Sequence, residues 1–215
     1  MLRAARIAWQ YEIPVLGVNL GKVGFLTEIE PSEWMEKFEL MLTGSYQIEK
    51  RLVIQAACYR NKHLLGQYQA LNDFAVNRVG LARVIRLATF INDSYLTTYT
   101  ADGMVISTPT GSTGYALAAG GPILPPELKN FLLIPVAPHL CLERAIVLSP
   151  GDNIKLVINS DYHAVLTADG QVDVELRHND TVEVSASSQI SRFLRFEKNT
   201  YFYKSLMERL GLPHK

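Results

Sequence analysis

Asp102-Gly-Met-Val-Ile-Ser-Thr-Pro-Thr-Gly-Ser-Thr-Gly-Tyr-Ala-Leu-Ala-Ala-Gly-Gly-Pro-Ile123 is the stretch on which the reading of this chain turns. Met104, Val105 and Ile106 form an apolar, strand-like run. Residues 107–114 are almost all small turn formers, and 115–119 have the Ala and Leu content of a short helix. Gly120, Gly121 and Pro122 stop that helix. A strand opening through a Gly/Ser/Thr turn into a helix presents backbone N–H groups and hydroxyls, a geometry suited to phosphate or ribose. The same composition also suits a plain connecting loop, and the residues alone leave both readings open. Tyr115, just inside the helix start, tilts the balance toward a nucleotide platform.

Composition narrows the classes. The 215 residues are 48% hydrophobic and 20% charged, enough for a packed core of one large domain or two small ones. Lys plus Arg and Asp plus Glu number 21 each, so the net charge is zero and the electrostatic signature of a nucleic-acid or anionic-membrane binder is missing. The longest apolar run, 131–137, is too short to span a bilayer and is interrupted by Pro135. Cys58 and Cys141 stand far apart in no Cys-x-x-Cys arrangement; free thiols in a reducing, cytoplasmic setting are the favoured reading, with a disulfide left open.

From the N-terminus, 1–12 reads as an amphipathic helix ended by Pro14. It has no N-cap and no signal-peptide character, which suggests a chain that begins inside a fold. Residues 15–18 follow as a short buried strand of the parallel kind, giving half of an α/β unit. Gly17-x-x-x-Gly21-Lys22 is one residue short of a phosphate-binding P-loop, and Val23 stands where Ser or Thr is needed, so that reading is rejected. A second helix is expected over 33–42 after Pro31-Ser32. Strands are then expected over 51–59, 64–73, 84–91 and 95–100, and after the central stretch over 146–148, 153–158, 164–168, 172–176 and 181–186. Asn61-Lys62, Gly80, Asn92-Asp93-Ser94, Asp169-Gly170 and Asn179-Asp180 supply turn chemistry, and so many short strands argue for an antiparallel sandwich or an irregular two-sheet domain. A final amphipathic helix is expected over 200–210, stopped by Gly211.

Candidate chemistry is sparse. Asn72-Asp73, placed at the end of the 64–73 strand, has the donors and acceptors to grip ribose hydroxyls, and it also fits an Asx turn. Asp102 is either a turn former or a polar anchor at the loop mouth. His139-x-Cys141 is a poor zinc pair, and no nucleophile elbow or metal cluster is visible.

The 102–123 stretch closely resembles the NAD kinase signature Asp-Gly-x-x-Val-Ser-Thr-Pro-Thr-Gly-Ser-Thr-Ala-Tyr with its Ser-Ala-Gly-Gly-Pro-Ile ending. Three further elements resemble the family in the same order: 16–27 as the segment joining its two domains, Leu71-Asn72-Asp73-Phe74 as its Asn-Glu/Asp element, and Ala137-Pro138-His139 with Arg144 as its Ala-Pro-His…Arg-Pro element. The resemblance implies phosphoryl transfer from ATP, or polyphosphate, to the adenosine-ribose 2′-hydroxyl of NAD, assisted by Mg2+ or another divalent metal. It implies that Asn72, Asp73 and Asp102 hold polar groups of the dinucleotide. Thr113, Gly114, Tyr115, Ala116, Leu117 and Ala118 would line the adenine side, with Tyr115 stacking; Arg83 and Gln171 carry over less directly. The implied fold is α/β plus all-β: a truncated N-terminal Rossmann-like piece over 1–27, a β-sandwich NAD-binding domain over 28–195, and a helix over 196–215 returning to the first domain. Dimers or tetramers, with the site completed across subunits, are implied as well.

Departures accompany the matches. Gly114 replaces the usual Ala, Ala118 Ser, and Ala145 Pro. The family's Gly-Gly-Asp-Gly-Thr, whose Asp is the general base, does not occur in these residues; 1–6 resembles the helix that follows it, so the catalytic Asp is expected before Met1. A non-catalytic NAD(P)-binding module is the alternative that this leaves.

Overall fold

The computed structural model describes residues 1–21, 26–80, 83–139, 142–196, 202 and 206. The chain falls into two compact units, one drawn from Met1–Lys50 and Ile190–Lys215, the other Arg51–Gln189. The architecture is mixed α/β, dominated by two antiparallel sheets.

In the first unit, α1 (Leu2–Ala8) runs into a 3-10 turn, Trp9–Tyr11, which ends at Glu12 in the left-handed conformation two residues before Pro14. Ala5 and Trp9 are its buried side chains. The expected parallel strand at 15–18 is reduced to two isolated parallel bridges, Val15 with Phe193 and Val18 with Ile29. Between those bridges the Gly17 carbonyl takes the Glu28 N–H at 2.8 Å, so no continuous ladder forms. α2 (Trp34–Leu42) starts from a capping box: the Glu33 carboxylate takes the Glu30 N–H at 2.7 Å, with Pro31 in the first turn. Of the helix expected over 200–210, Phe202 and Leu206 are described and both are helical; its other positions lie outside the described residues.

The second unit is a sandwich. Its first sheet is built from β1 (Gln47–Arg60), β2 (His63–Ala70), β4 (Ile85–Ile91), β5 (Ser94–Ala101), β9 (Asn153–Ile158) and β12 (Thr181–Arg195), in the order β2-β1-β12-β9-β4-β5. Its second contains β3 (Asp73–Arg78), β6 (Gly103–Ser107), β7 (Phe131–Val136), β8 (Ile146–Leu148), β10 (Ala164–Ala168) and β11 (Val172–Leu176), in the order β11-β10-β3-β6-β7-β8. Every strand sends alternate side chains into one core, among them Ile54, Phe74, Met104, Phe131, Leu156 and Leu166. The second sheet is also covered on its other face, where Ala75, Val105, Leu132 and Ile134 meet Ala116 and Leu124. β6 is therefore buried at every position, which is why it reads as an unbroken apolar run rather than an alternating one. The element laid over that outer face is α3 (Tyr115–Ala118) with the loop that follows it.

Two expected strands need correction. The 64–73 strand is two elements: β2 ends at Ala70, and Asp73 opens β3 instead of closing its predecessor. The cause is a side chain from far along the chain, described below. β7 was not among the expected strands, although its run was read as apolar and interrupted by Pro135; Pro135 pairs with Met104 of β6. It is tolerated because β8 covers only Phe131, Leu132 and Leu133, so the proline sits where β7 has no second neighbour.

The turn after β6 fixes α3 over the sheet. Thr108 donates its N–H to the Asn72 carbonyl at 2.9 Å, and its hydroxyl reaches the Leu71 carbonyl. Gly111 passes so close that a Cβ there would collide with the Asn72 carbonyl and with Ser107 Oγ. Gly111→Ala is expected to destabilise the fold by about 2–3 kcal/mol, the usual cost of overpacking against backbone. Denaturant melts compared with Gly120→Ala, whose Cβ meets open space but whose φ is positive, separate close approach from backbone strain. Equal losses would contradict the close-approach account.

Candidate functional site

The site is organised by Asp169, in the turn between β10 and β11. Its Oδ1 accepts the N–H groups of Asn72 at 2.7 Å and Asp73 at 3.2 Å, and Oδ2 accepts that of Leu71 at 3.1 Å. The backbone returns the contact, Asp169 donating its N–H to the Asp73 carbonyl at 2.9 Å. With three consecutive N–H groups held by one carboxylate, β2 and β3 part between Ala70 and Asp73. Hydrogen bonds to an ionised acceptor are worth about 1.5–3 kcal/mol each, enough to hold so tight a turn.

That turn displays the Asn72 and Asp73 side chains. Asn72 Oδ1 is buried and, among the described residues, has no hydrogen-bond partner. Asp73 is only 7% exposed, and burial, followed by the Asp169 charge, pushes its carboxyl up to about 6. Tyr115 stands close by, its ring exposed and its hydroxyl donating to Asn77 Oδ1 at 3.4 Å. Burial raises the Tyr115 phenol, and the charges of Asp73 and Asp102 push the same way. An acceptor without a donor, a carboxyl poised to gain or lose a proton, and an aromatic face form a polar, recognition-type surface.

The other expected residues divide. Asp102 is at the loop mouth, but its carboxylate is engaged by Arg78, Nε to Oδ1 at 2.6 Å and a second nitrogen to Oδ2 at 3.4 Å. Thr113 ends a 3-10 turn, Thr110–Thr113, and Gly114 links it to α3 with a φ of −102, so the glycine there answers no left-handed requirement. Gly114 and Ala118 are exposed and Leu117 half-buried, whereas Ala116 is buried and packs on Ala75 and Val105. Gln171 is exposed, two residues beyond Asp169, its N–H bonded to the Ala168 carbonyl. Arg83 lies over the Tyr162 ring at 4.4 Å, an interaction that does not join it to the Asn72–Asp73 turn.

The expectation that the loop's hydroxyls face a ligand needs correction for most of them. Ser107 Oγ bonds to the Asn72 and Thr108 carbonyls, Thr108 Oγ1 to Leu71, and Ser112 Oγ to Pro109 at 2.7 Å. Thr110 Oγ1 accepts from Arg51 at 3.3 Å. These small side chains staple the turn together. Thr113 is the exception, its hydroxyl taking part in no bond of this kind among the described residues. The residues that sequence reasoning missed are Asp169, Asn77 and Arg78. Asp169-Gly170 carried only a turn signal, and nothing in the spacing connects it to residues 71–73. Cys141 lies outside the described residues; Cys58 is a buried free thiol that burial raises to about 12.

Comparison with known proteins decides the family. The ATP-NAD kinase C-terminal domain profile matches residues 71–196, and the N-terminal domain profile matches 1–46. The chain belongs to the NAD kinase family. The NAD kinase of Geobacter sp. (strain M21) is 39% identical over 204 residues, covering 94% of this chain and 71% of the relative. That of Heliobacterium modesticaldum is 41% identical over 203 residues, covering 94% and 72%. Among solved structures, yeast NADH kinase complexed with NADH superposes with a TM-score of 0.87 at 26% identity, over 94% of this chain and 60% of the yeast chain. An Archaeoglobus fulgidus NAD kinase in complex with ATP gives 0.76 at 27% identity, over 93% and 75%.

The raised carboxyl yields a signed prediction. Because folding lifts Asp73 from 3.8 to about 6, the native state holds its proton more tightly, and stability falls as pH rises through that interval. Asp73→Asn removes the burden. The variant is expected to match the parent near pH 4 and to exceed it by roughly 2–3 kcal/mol above pH 7, at about 1.4 kcal/mol per unit. Urea unfolding at both pH values checks this; a gain independent of pH would show that Asp73 ionises as freely as in solvent.

Proposed function

We propose that the surface formed by Asn72, Asp73, Thr113 and Tyr115 holds NAD for phosphorylation at its adenosine-ribose 2′-hydroxyl, with ATP or polyphosphate as donor. The observation that carries this reading is Asn72 Oδ1, a buried acceptor with no partner among the described residues, beside the buried Asp73 carboxyl. A side chain left this way costs stability unless a ligand completes it. Dinucleotide hydroxyl and amide groups supply the missing donors. The exposed Tyr115 face is available for base stacking, and the exposed Gly114 and Ala118 leave room along the same edge. The names of the relatives support NAD as acceptor and ATP as donor.

The chemistry asks mainly for positioning, since phosphoryl transfer passes through a loose transition state that needs an oriented acceptor and charge stabilisation. Residues of this chain bind and orient the acceptor. The abstraction of its proton is assigned to none of them, and Asp102 is engaged by Arg78. A divalent metal belongs to the proposed reaction. Among the described residues no group of three or more His, Cys, Asp or Glu is placed to hold one. Self-association to a dimer or tetramer and a cytoplasmic setting belong to the same proposal. No described helix is long and apolar enough to cross a membrane.

Calorimetry of the 215-residue chain with NAD tests the site. Binding is expected, and Tyr115→Ala is expected to weaken it about ten-fold, since stacking of a base on an aromatic ring is worth about 1–3 kcal/mol. Unchanged affinity would remove the stacking role. With ATP and Mg2+ added, these residues alone are expected to form no NADP above background, because Gly-Gly-Asp-Gly-Thr is not among them; robust turnover would place the general base within this chain.

A further inference from the structure

We propose that Asn77 is a positioning residue of this site, setting the Tyr115 ring at the angle that receives the dinucleotide by holding its hydroxyl. The inference rests on the site reading above and adds to it a residue from outside the elements that resemble the family.

Asn77 lies on β3, four residues past Asp73, directly across from Gly103 of β6 in the strand register. That partner is a glycine for a local reason. A Cβ at position 103 would collide with Asn77 Oδ1 and with the Val76 carbonyl. The missing side chain is the space in which the Asn77 carboxamide lies, so a cross-strand vacancy fixes its direction. From there Oδ1 accepts the Tyr115 hydroxyl at 3.4 Å, which ties the α3 side chain to β3. The rest of α3 allows the ring little other restraint. The helix is a single turn, Ala116 anchors it to the sheet by packing, and Gly114 precedes the tyrosine without a side chain to press on the ring. A tyrosine with an exposed ring and a tethered hydroxyl keeps its apolar face open while losing its rotational freedom in advance. Preorganisation of that kind improves binding by reducing what the ligand must order on arrival.

The negative charges of Asp73 and Asp102 already act on this hydroxyl. Asn77 offers a neutral acceptor. It holds the hydroxyl without adding a third negative charge.

A double-mutant cycle on the 215-residue chain tests the assignment, with NAD as the probe and calorimetry as the readout. Asn77→Ala in the parent is expected to weaken NAD binding about three- to five-fold. In a Tyr115→Phe background, which keeps the ring and lacks the hydroxyl, the same substitution is expected to cost nothing further. Equal losses in both backgrounds, or none in the parent, would overturn the proposal. Asn77→Gln guards against simple misfolding, since a longer amide restoring part of the loss places the effect in the acceptor. If the parent itself fails to bind NAD, the site reading fails separately. The tether is then decided without ligand by the Tyr115 Cζ resonance in carbon-labelled protein, expected to shift in Asn77→Ala and to stay in place if the hydroxyl is not held.

Discussion

The Asp169 carboxylate, taking three successive backbone N–H groups at 71–73, is the constraint from which the site follows. It ends one strand and starts the next, and it fixes Asn72 and Asp73 while their backbone stays fully bonded. The Asn72 carbonyl then accepts from Thr108 and Ser107, and so carries the restraint across to the turn after β6. Gly111 must run against that same carbonyl. Two segments far apart in sequence thus share one buried polar knot, and Tyr115 is delivered to its place by the second of them.

Electrostatics on this surface run against stability and in favour of recognition. Asp73 and Asp169 are close enough that one raises the other, and burial adds to the cost. Asp169 repays its own burial with backbone donors, whereas Asp73 has no such compensation in the free protein. Arg78 neutralises Asp102 instead, with two nitrogens on the carboxylate and its backbone N–H on the Asp102 carbonyl. The two acidic side chains expected to share one role therefore stand in different states: one committed to a cation, the other buried and uncommitted.

Much of the sandwich was legible in the sequence because it depends on local rules. β8, β9, β10 and β11 begin and end where alternation and turn residues put them, and α3 sits where Ala and Leu follow the small-residue run. The β7 strand was obscured by Pro135, whose acceptability depends on how far a neighbouring strand extends, which no local pattern records. The 71–73 break was obscured for a similar reason, since its cause is a side chain in a hairpin turn 96–98 residues away. At the site, Asn72, Asp73 and Tyr115 were readable through resemblance to the family. The hydroxyls of Ser107, Thr108 and Ser112 looked like ligand donors and instead hold the turn, because a one-dimensional reading shows which residues can donate and not which acceptors lie nearest. Asn77 shows no signal at all until Gly103 is seen across from it.

The most direct measurement is a crystal structure of the 215-residue chain grown with NAD. The account predicts the dinucleotide on the Asn72–Tyr115 surface, with a donor within hydrogen-bond reach of Asn72 Oδ1 and a ring against Tyr115. A dinucleotide seated elsewhere, with Asn72 Oδ1 still unpartnered, would contradict it.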